Sequence, residues 1–329
     1  MIADIVLGIQ MGDEGKGKVT HHLCKTGGYT HVLRFNGGCN AGHTIYHDGK
    51  KFVTHHIPSG IFHGVKSVIG PGCVVSVEQF FNEIKELEDG GISTKGLIFI
   101  AQNAHVITPQ HLDEDSREQK IGTTRKGNGP AYRDKYNRTG VLAKDIPALQ
   151  PYLIDLYEEF HEGGTPPIIL CEGAQGFGLD IDHGDYPYVT SSHCTTAGAL
   201  LNSIPHSWVR NVWGVGKVYD TYVGAKSFEP DDSIFQHIRD AGEEYGATTG
   251  RPRQCNWMDF DLMIKAIRIN GVTNLVLNKV DVLREVGEWK LFKDEELLDF
   301  EDEFFMKDWI VENLDGRLEV FFSESKHVI

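Results

Sequence analysis

A short apolar strand running straight into a glycine-rich turn limits this chain more than any other feature. Ile2–Leu7 reads as a buried strand, Gly8-Ile-Gln-Met-Gly-Asp-Glu-Gly-Lys-Gly-Lys18 follows it, and Gly17–Cys24 has the pattern of a helix. Glycines let a backbone approach an anion closely, and a helix N-terminus offers free N–H donors. The bland alternative is a strand–helix turn with solvated lysines. Four glycines and two lysines within eleven residues argue against it. Gly12-x4-Gly17-Lys18 satisfies most of the phosphate-loop pattern, but position 19 is Val where a metal-binding Ser or Thr usually stands. A metal ligand must then come from elsewhere, and Asp13 inside the loop is the candidate.

The rest of the chain continues the alternation. Val65–Ile69 precedes a helical pattern over Val77–Asp89, Leu97–Ile100 follows, and a helical Pro151–His161 leads into Ile168–Cys171. Val209–Val218, a helical Asp259–Asn270 and Leu275–Leu277 come next, and Glu301–Leu314 then Leu318–Phe322 reads as helix then strand. This order predicts an α/β fold, with a mostly parallel central sheet flanked by helices. A chain of 329 residues without repeat or low-complexity linker is read as one large domain over 1–329. The glycine clusters fall in loops between elements, where open α/β sheets place their ligands.

The formal net charge of −15 argues against non-specific nucleic-acid or membrane binding. An anionic substrate must therefore be held by a local cluster of Lys, Arg and backbone N–H groups. Six scattered cysteines without a C-x-x-C pair fit reduced thiols. None of the 16 histidines falls in H-E-x-x-H, and most read as surface or core polar groups. No apolar run approaches the ~20 residues that span a bilayer. Met1–Gly8 reads as a strand and not a signal peptide. A cytoplasmic location is expected, the host's if the gene is viral.

Gly12-Asp-Glu-Gly-Lys-Gly-Lys18 resembles the signature loop of adenylosuccinate synthetases. More matches follow in that family's order. They are Gly37-Gly-Cys-Asn-Ala-Gly-His-Thr44, Ile57-Pro-Ser-Gly60, Gly122-Thr-Thr124, Gly129-Pro-Ala-Tyr132 and Glu172-Gly-Ala-Gln-Gly176. Tyr186-Pro-Tyr-Val-Thr-Ser-Ser192, Thr195-Thr-Ala-Gly198, Gly246-Ala-Thr-Thr-Gly-Arg251 and Lys279-Val-Asp281 complete the series. The resemblance implies a ligase of purine synthesis, joining L-aspartate to C6 of a purine nucleoside monophosphate through a 6-phosphoryl intermediate. A base near N1, an acid near O6, a metal and a cationic clamp are then needed.

By that resemblance Asp13 is the base and, with the Gly42 carbonyl, a Mg²⁺ ligand. His43 is the acid at O6, and Lys16 stabilises transition-state charge. Gly12, Gly15, Gly17, Lys18 and Thr44 belong to the phosphate-binding loops. Asn40, Thr124, Gln175 and Thr196 make the monophosphate site, with Gln175 also counted among the reacting groups. Arg138 reaches a partner's nucleotide across a homodimer interface. Thr248, Thr249, Arg251 and Arg253 hold aspartate, since guanidinium forks suit carboxylates. Lys279 and Asp281 read a guanine base, which favours GTP. Each of these residues taken alone is more often an ordinary polar loop residue; it is the shared order that raises them.

Three departures leave the substrates open. Met11 stands where the family has Trp, and Cys39 where it has His. Phe322-Ser-Glu-Ser325 replaces the Ser-Thr-Gly-Pro stretch that closes the guanine pocket, which admits ATP or dATP as donor. Thr221-Tyr-Val-Gly-Ala-Lys226 replaces Thr-Arg-Val-Gly-Ala-Gly. A phage branch of the family uses dGMP and makes 2-amino-2′-deoxyadenylosuccinate. Many of its members lack the loop Asp that is kept here, and IMP and dGMP both remain as acceptors. Two other classes compete. A P-loop GTPase or kinase leaves Asn40–Thr44 and Thr248–Arg253 without a task, and a non-catalytic nucleotide-binding regulator leaves Asp13 and His43 without one.

Overall fold

The computed structural model describes residues 1–246, 250–325 and 329. Its centre is a nine-stranded sheet of β1 (Ile2–Gly8), β2 (His31–Arg34), β3 (Lys66–Ile69), β4 (Ile98–Ala101), β5 (Leu153–Ile154), β6 (Ile168–Glu172), β7 (Val209–Lys217), β8 (Asn274–Asn278) and β9 (Glu319–Phe322). The order is β9-β8-β7-β1-β6-β2-β3-β4-β5. Every neighbouring pair is parallel. A parallel sheet is covered on both faces, so its strands are continuously apolar. β1 obeys this, with every residue from Ala3 to Gly8 buried. Asp4 is tolerated there because it accepts from Tyr29 Oη at 2.6 Å, Arg210 Nε at 3.0 Å and Asn211 N at 3.0 Å.

The topology sets the ligand edge. β1 lies between β6 and β7, and β2 lies beyond β6, so the chain winds in both directions from β1. Crevices outside the carboxyl ends of such strands are where open sheets bind ligands. The loops after β1, β2, β6 and β8 all open on this edge, and they carry most of the motifs singled out above. A four-stranded sheet of Tyr219–Tyr222, Gln254–Asp259, Lys290–Lys293 and Glu296–Asp299 stands beside it and presents Arg253.

The helices form for ordinary reasons. α1 (Lys16–Thr26) starts at Gly15, whose φ of 97° suits a residue without a side chain. Val77–Asp89 is capped by Ser76, which accepts from Gln79 N at 3.3 Å, and it buries Phe80, Ile84 and Leu87. Phe260–Asn270 is capped by Asp259 and ends at Gly271 with φ 62°.

One expectation fails. Pro151–His161 is not a helix. A 3₁₀ turn over Pro147–Tyr152 runs into β5, and a π-turn covers Glu158–Glu162. Pro151 cannot donate to an extended helical ladder, and Ile154 O instead accepts from Gln102 N at 3.0 Å. Asp155 then accepts from Tyr157 N at 2.8 Å, a local turn that competes with the helix. The hairpin His43–His47/Lys50–Thr54 was not anticipated either. Asp48 and Gly49 at its tip have φ 47° and 75°, the Asp-Gly chemistry of a tight hairpin. All six cysteines are free and buried. Among the described residues, no helix is long and apolar enough to cross a membrane.

Candidate active site

The glycine-rich turn is built around a buried carboxylate. Glu14 accepts from Gly12 N at 2.9 Å and Gln10 N at 3.3 Å through one oxygen, and Lys16 Nζ donates to the other at 2.6 Å. The loop is thereby folded back on itself, with Asp13 at its crest in the left-handed region, φ 58°. A side chain at Gly8 would place its Cβ 2.5 Å from Glu14 oxygens, and one at Gly17 would meet the His43 Cβ at 2.8 Å. Both glycines are therefore required by close approach. α1 begins here without a side-chain cap and without an acid in its first turn. Its free N–H groups face the cleft, an arrangement that favours anions.

His43 is fixed from behind. Its Nδ1 lies 2.6 Å from Glu172 Oε1, and Arg34 Nη2 donates to the same oxygen at 2.5 Å. Glu172 Oε2 accepts from Ser59 N at 2.8 Å. All three side chains are buried. A carboxylate only accepts, so His43 carries its proton on Nδ1 and turns Nε2 the other way. Burial alone would raise the Glu172 carboxyl; Arg34 and His43 overcome this and hold it down at about 2. Burial and Arg34 lower His43 to about 4, against the pull of Glu172. The resting imidazole is therefore neutral, and an anionic phosphoryl group beside Nε2 would favour its protonation.

Asp13 is held by a second network. Arg253 Nε lies 2.9 Å from Asp13 Oδ2, and Arg253 Nη1 donates to Glu244 Oε2 at 2.5 Å. The Asp13 contact is a charge pairing without hydrogen-bond alignment. Glu244 is buried and also accepts from Lys217 Nζ at 3.1 Å and Tyr219 Oη at 2.7 Å. Burial would raise this carboxyl as well, but Lys217, Arg253 and Lys279 hold it at about 2. Lys279, with φ 71°, donates to Gly242 O at 2.6 Å. Lys18 Nζ donates to Ser323 Oγ at 2.6 Å and Ser325 O at 3.1 Å. Its burial brings it down to about 8, with Asp281 opposing and Lys279 reinforcing.

These groups meet in one cleft of about 580 Å³. Asp13, Gly15, Lys16, Gly17, Lys18, Gly42, His43, Thr44, Arg253, Lys279 and Asp281 all line it. The remaining expected residues stand apart from this wall. Gln175, with φ 57°, packs beside Gly12 and Gly37, and its buried Oε1 lacks a partner among the described residues. Asn40 accepts from Gly38 N at 3.2 Å. Thr196 Oγ1 donates to Asn270 O at 2.9 Å. Thr124 and Arg138 are exposed, the latter ending the helix Asn128–Asn137. Arg251 Nη2 donates to Gly224 O at 3.1 Å. Thr248 and Thr249 lie outside the described residues.

Sequence reasoning missed the carboxylates behind the reacting groups. Glu172 stands within a family motif without an expected role, and Arg34, Lys217 and Glu244 lie outside the expected site. A usable signal existed for three of them. A charged residue ending an apolar parallel strand, as Arg34, Glu172 and Lys217 do, must find a partner at the ligand edge. Glu244 gave no such signal.

Comparison with known proteins follows the same outline. The sequence profile described as adenylosuccinate synthetase matches residues 5–161 and 146–297. Adenylosuccinate synthetase of Chlorobium chlorochromatii is 39% identical over 91% of this chain and 82% of its own. That of Halothermothrix orenii is 40% identical over 87% and 79%. Among solved structures, fully ligated adenylosuccinate synthetase from Plasmodium falciparum superposes with a TM-score of 0.81 at 31% identity, covering 91% of this chain and 83% of that one. Cyanophage S-2L succinoaminodeoxyadenylate synthetase, bound to dGMP and to dATP as an energy donor, gives 0.79 at 23% identity, covering 99% and 93%. This last likeness is one of fold.

Proposed function

Because this chain belongs to the adenylosuccinate synthetase family, we propose that Asp13 and His43 are the base and acid with which it activates IMP for attack by aspartate, with GTP as phosphoryl donor. It is a ligase of purine nucleotide synthesis that condenses aspartate with C6 of a purine nucleoside monophosphate. The reading of an unrelated GTPase or kinase falls with the family match. The observation that carries the proposal is the placement of Asp13 and His43 on one cleft beside the uncapped start of α1.

The geometry supports the following proposed steps. Asp13 takes the N1 proton while O6 attacks the γ-phosphorus, so a P–O6 bond forms and the nucleoside diphosphate leaves. His43 Nε2 faces the developing charge on O6 because Glu172 holds Nδ1. Lys16, fixed by Glu14, and the N–H groups of Gly15 and Gly17 neutralise the transferring group. The aspartate amine then attacks C6 and inorganic phosphate departs. Arg253 and Arg251, with Thr248 and Thr249, are proposed to hold the aspartate carboxylates, and Gly12, Lys18 and Thr44 the donor phosphates. Asn40, Thr124, Gln175 and Thr196 are proposed for the monophosphate, and the unpartnered Gln175 Oε1 supports this. Lys279 and Asp281 are proposed to read guanine from the end of β8. Arg138 is exposed, as a residue shared with a second subunit must be.

Mg²⁺ fits the donor set. The Asp13 carboxylate and the Gly42 carbonyl both line the cleft, and hard oxygens suit this ion. When bound it would offset phosphate charge. Residues 1–329 are taken as one synthetase domain, in the cytoplasm, the host's if the gene is viral.

A second acceptor is favoured by particular residues. Met11, Cys39, Tyr222 and Lys226 all depart from the family pattern in loops the resemblance assigns to the nucleotide, which keeps dGMP beside IMP as a proposed acceptor. Incubation with L-aspartate, Mg²⁺ and GTP or ATP, separately with IMP and dGMP, decides by product mass. The expected product is the succinyl adduct of IMP with GTP. An adduct of dGMP alone reassigns the acceptor, and no adduct with either removes the proposed roles of Asp13 and His43.

A further inference from the structure

Three histidines converge on the cleft wall opposite the glycine-rich turn's crest, and the reaction uses none of them. His21 lies on α1, His47 ends the strand His43–His47, and His63 ends the 3₁₀ turn Ser59–His63. One ring nitrogen from each lies within 4.8 Å of the others. All three line the same cleft as the phosphate loop. A hydrogen bond accounts for part of this cluster, since His21 Nε2 is 3.1 Å from His47 Nδ1. It does not account for His63, whose Nε2 is buried with no hydrogen-bond partner among the described residues. A buried polar atom without a partner is costly, and three elements have been brought together to make one.

We propose that His21, His47 and His63 form a site for one divalent transition-metal ion of the zinc class, with an open position toward the cleft. Three imidazole ligands with one open position are a known zinc arrangement. The ligand atoms sit at 4.8 Å or less, against roughly 3.3 Å between nitrogens around tetrahedral zinc, so side-chain adjustment of about an ångström closes the site. A carboxylate stands near His47, beyond hydrogen-bond alignment, where a small side-chain turn would give the outer partner that metal-bound histidines use. The His47 Nδ1 faces His21, while its Nε2 lies 3.5 Å from Asp48 Oδ2. The cluster is also ready to ligate, because burial and the neighbouring rings lower His21 to about 4 and lower His63 too. Lys25 and Lys51 border the cleft here. The lysines repel every dication alike, and the preference for a zinc-class ion over Mg²⁺ comes from the three imidazole donors.

Among the described residues, a second cluster of ligating type, Asp180, Asp182 and His193, is already engaged in structure. Asp180 Oδ1 accepts from Asp182 N at 2.9 Å and His183 N at 3.1 Å, and Oδ2 from Cys194 N at 2.6 Å. His47 closes the short strand that His43 opens, so an ion there ties that strand to α1.

The test uses the full chain without a polyhistidine tag, freed of metal by a chelator. Co²⁺ is followed by its visible absorption and Zn²⁺ by calorimetry, both without nucleotide. One equivalent of each is expected to bind. His47→Gln and His63→Gln, each on a side chain outside the proposed reacting groups, are expected to weaken binding at least ~100-fold, the upper end of what losing even an outer partner costs. Asp182→Asn is expected to bind as the unaltered chain does. Absence of stoichiometric binding overturns the site. So does undiminished binding in the His47→Gln/His63→Gln double variant, whose folding is checked by its thermal melt. Neither result bears on succinyl-adduct formation, which is measured separately.

Discussion

Two buried glutamates stand behind His43 and Asp13, the two groups proposed to react, one directly and one through Arg253. Glu172 stands at the end of a strand inside the sheet, and its oxygens are divided among His43, Arg34 and Ser59 N. Glu244 follows the helix Ile234–Gly242 outside the sheet and is surrounded by Lys217, Tyr219 and Arg253. The first points a ring and fixes its tautomer. The second has no His; it concentrates cations and passes one of them, Arg253, to Asp13. Orientation is supplied by the parallel sheet, and charge balance by Lys217 at the end of β7 together with Tyr219 and Arg253 from the four-stranded sheet and its edge. Removing either glutamate separates the two tasks.

The largest effect is expected at the first. Glu172→Gln keeps the shape but leaves Arg34 as a buried charge without its counter-ion, a loss of about 3–5 kcal/mol in comparable sites. It also allows the amide to offer a donor to Nδ1, which reverses the His43 tautomer. We expect kcat to fall at least ~100-fold, the loss associated with a mispositioned general acid, together with a clearly lower melting temperature. Near-normal kcat would mean that His43 needs no orientation by Glu172. Arg253→Gln tests the other network and should cost less. Glu244 retains Lys217 and Tyr219, so the fold should hold. Loss of one charge-assisted contact of about 1.5–3 kcal/mol predicts roughly 10–100-fold in kcat/KM for aspartate. A change confined to KM for the nucleotide would remove Arg253 from the aspartate site.

The same contrast explains what could be read from the sequence. The parallel sheet, the anion-binding turn and most cleft residues are legible, because apolar runs and glycine spacing are local signals and the order of the family's motifs groups the rest. Gly12, Asp13, Lys16 and Lys18 are close in sequence and need no fold to be grouped. Glu172 and Glu244 were not legible in their roles, because each acts through partners far along the chain, 138 residues away for Arg34 and 27 for Lys217. Pro151–His161 misled because helical composition there was overridden by a proline and an Asp turn. Nothing in the sequence groups His21, His47 and His63, since they come from three separate elements.

The smallest effect is on stability against pH, and it separates the networks by the presence of a histidine. His43 is depressed from 6.5 to about 4 in the folded protein. Its contribution is complete above pH 6.5 and is lost as pH falls toward 4, because the unfolded chain takes up the proton first. Glu172 is depressed from 4.5 to about 2, and Glu244 likewise, so their contributions are present above 4.5 and are lost only as pH falls toward 2. Only the Glu172 network therefore weakens between pH 7 and 5. His43→Asn should remove that part of the slope, on the order of 1–2 kcal/mol, while leaving the decline below pH 4.5 in place. Denaturant unfolding of both proteins at pH 7, 5 and 4 measures the difference. Parallel pH profiles would show that His43 is protonated alike in the folded and unfolded chain, and its burial against Arg34 would then carry no cost.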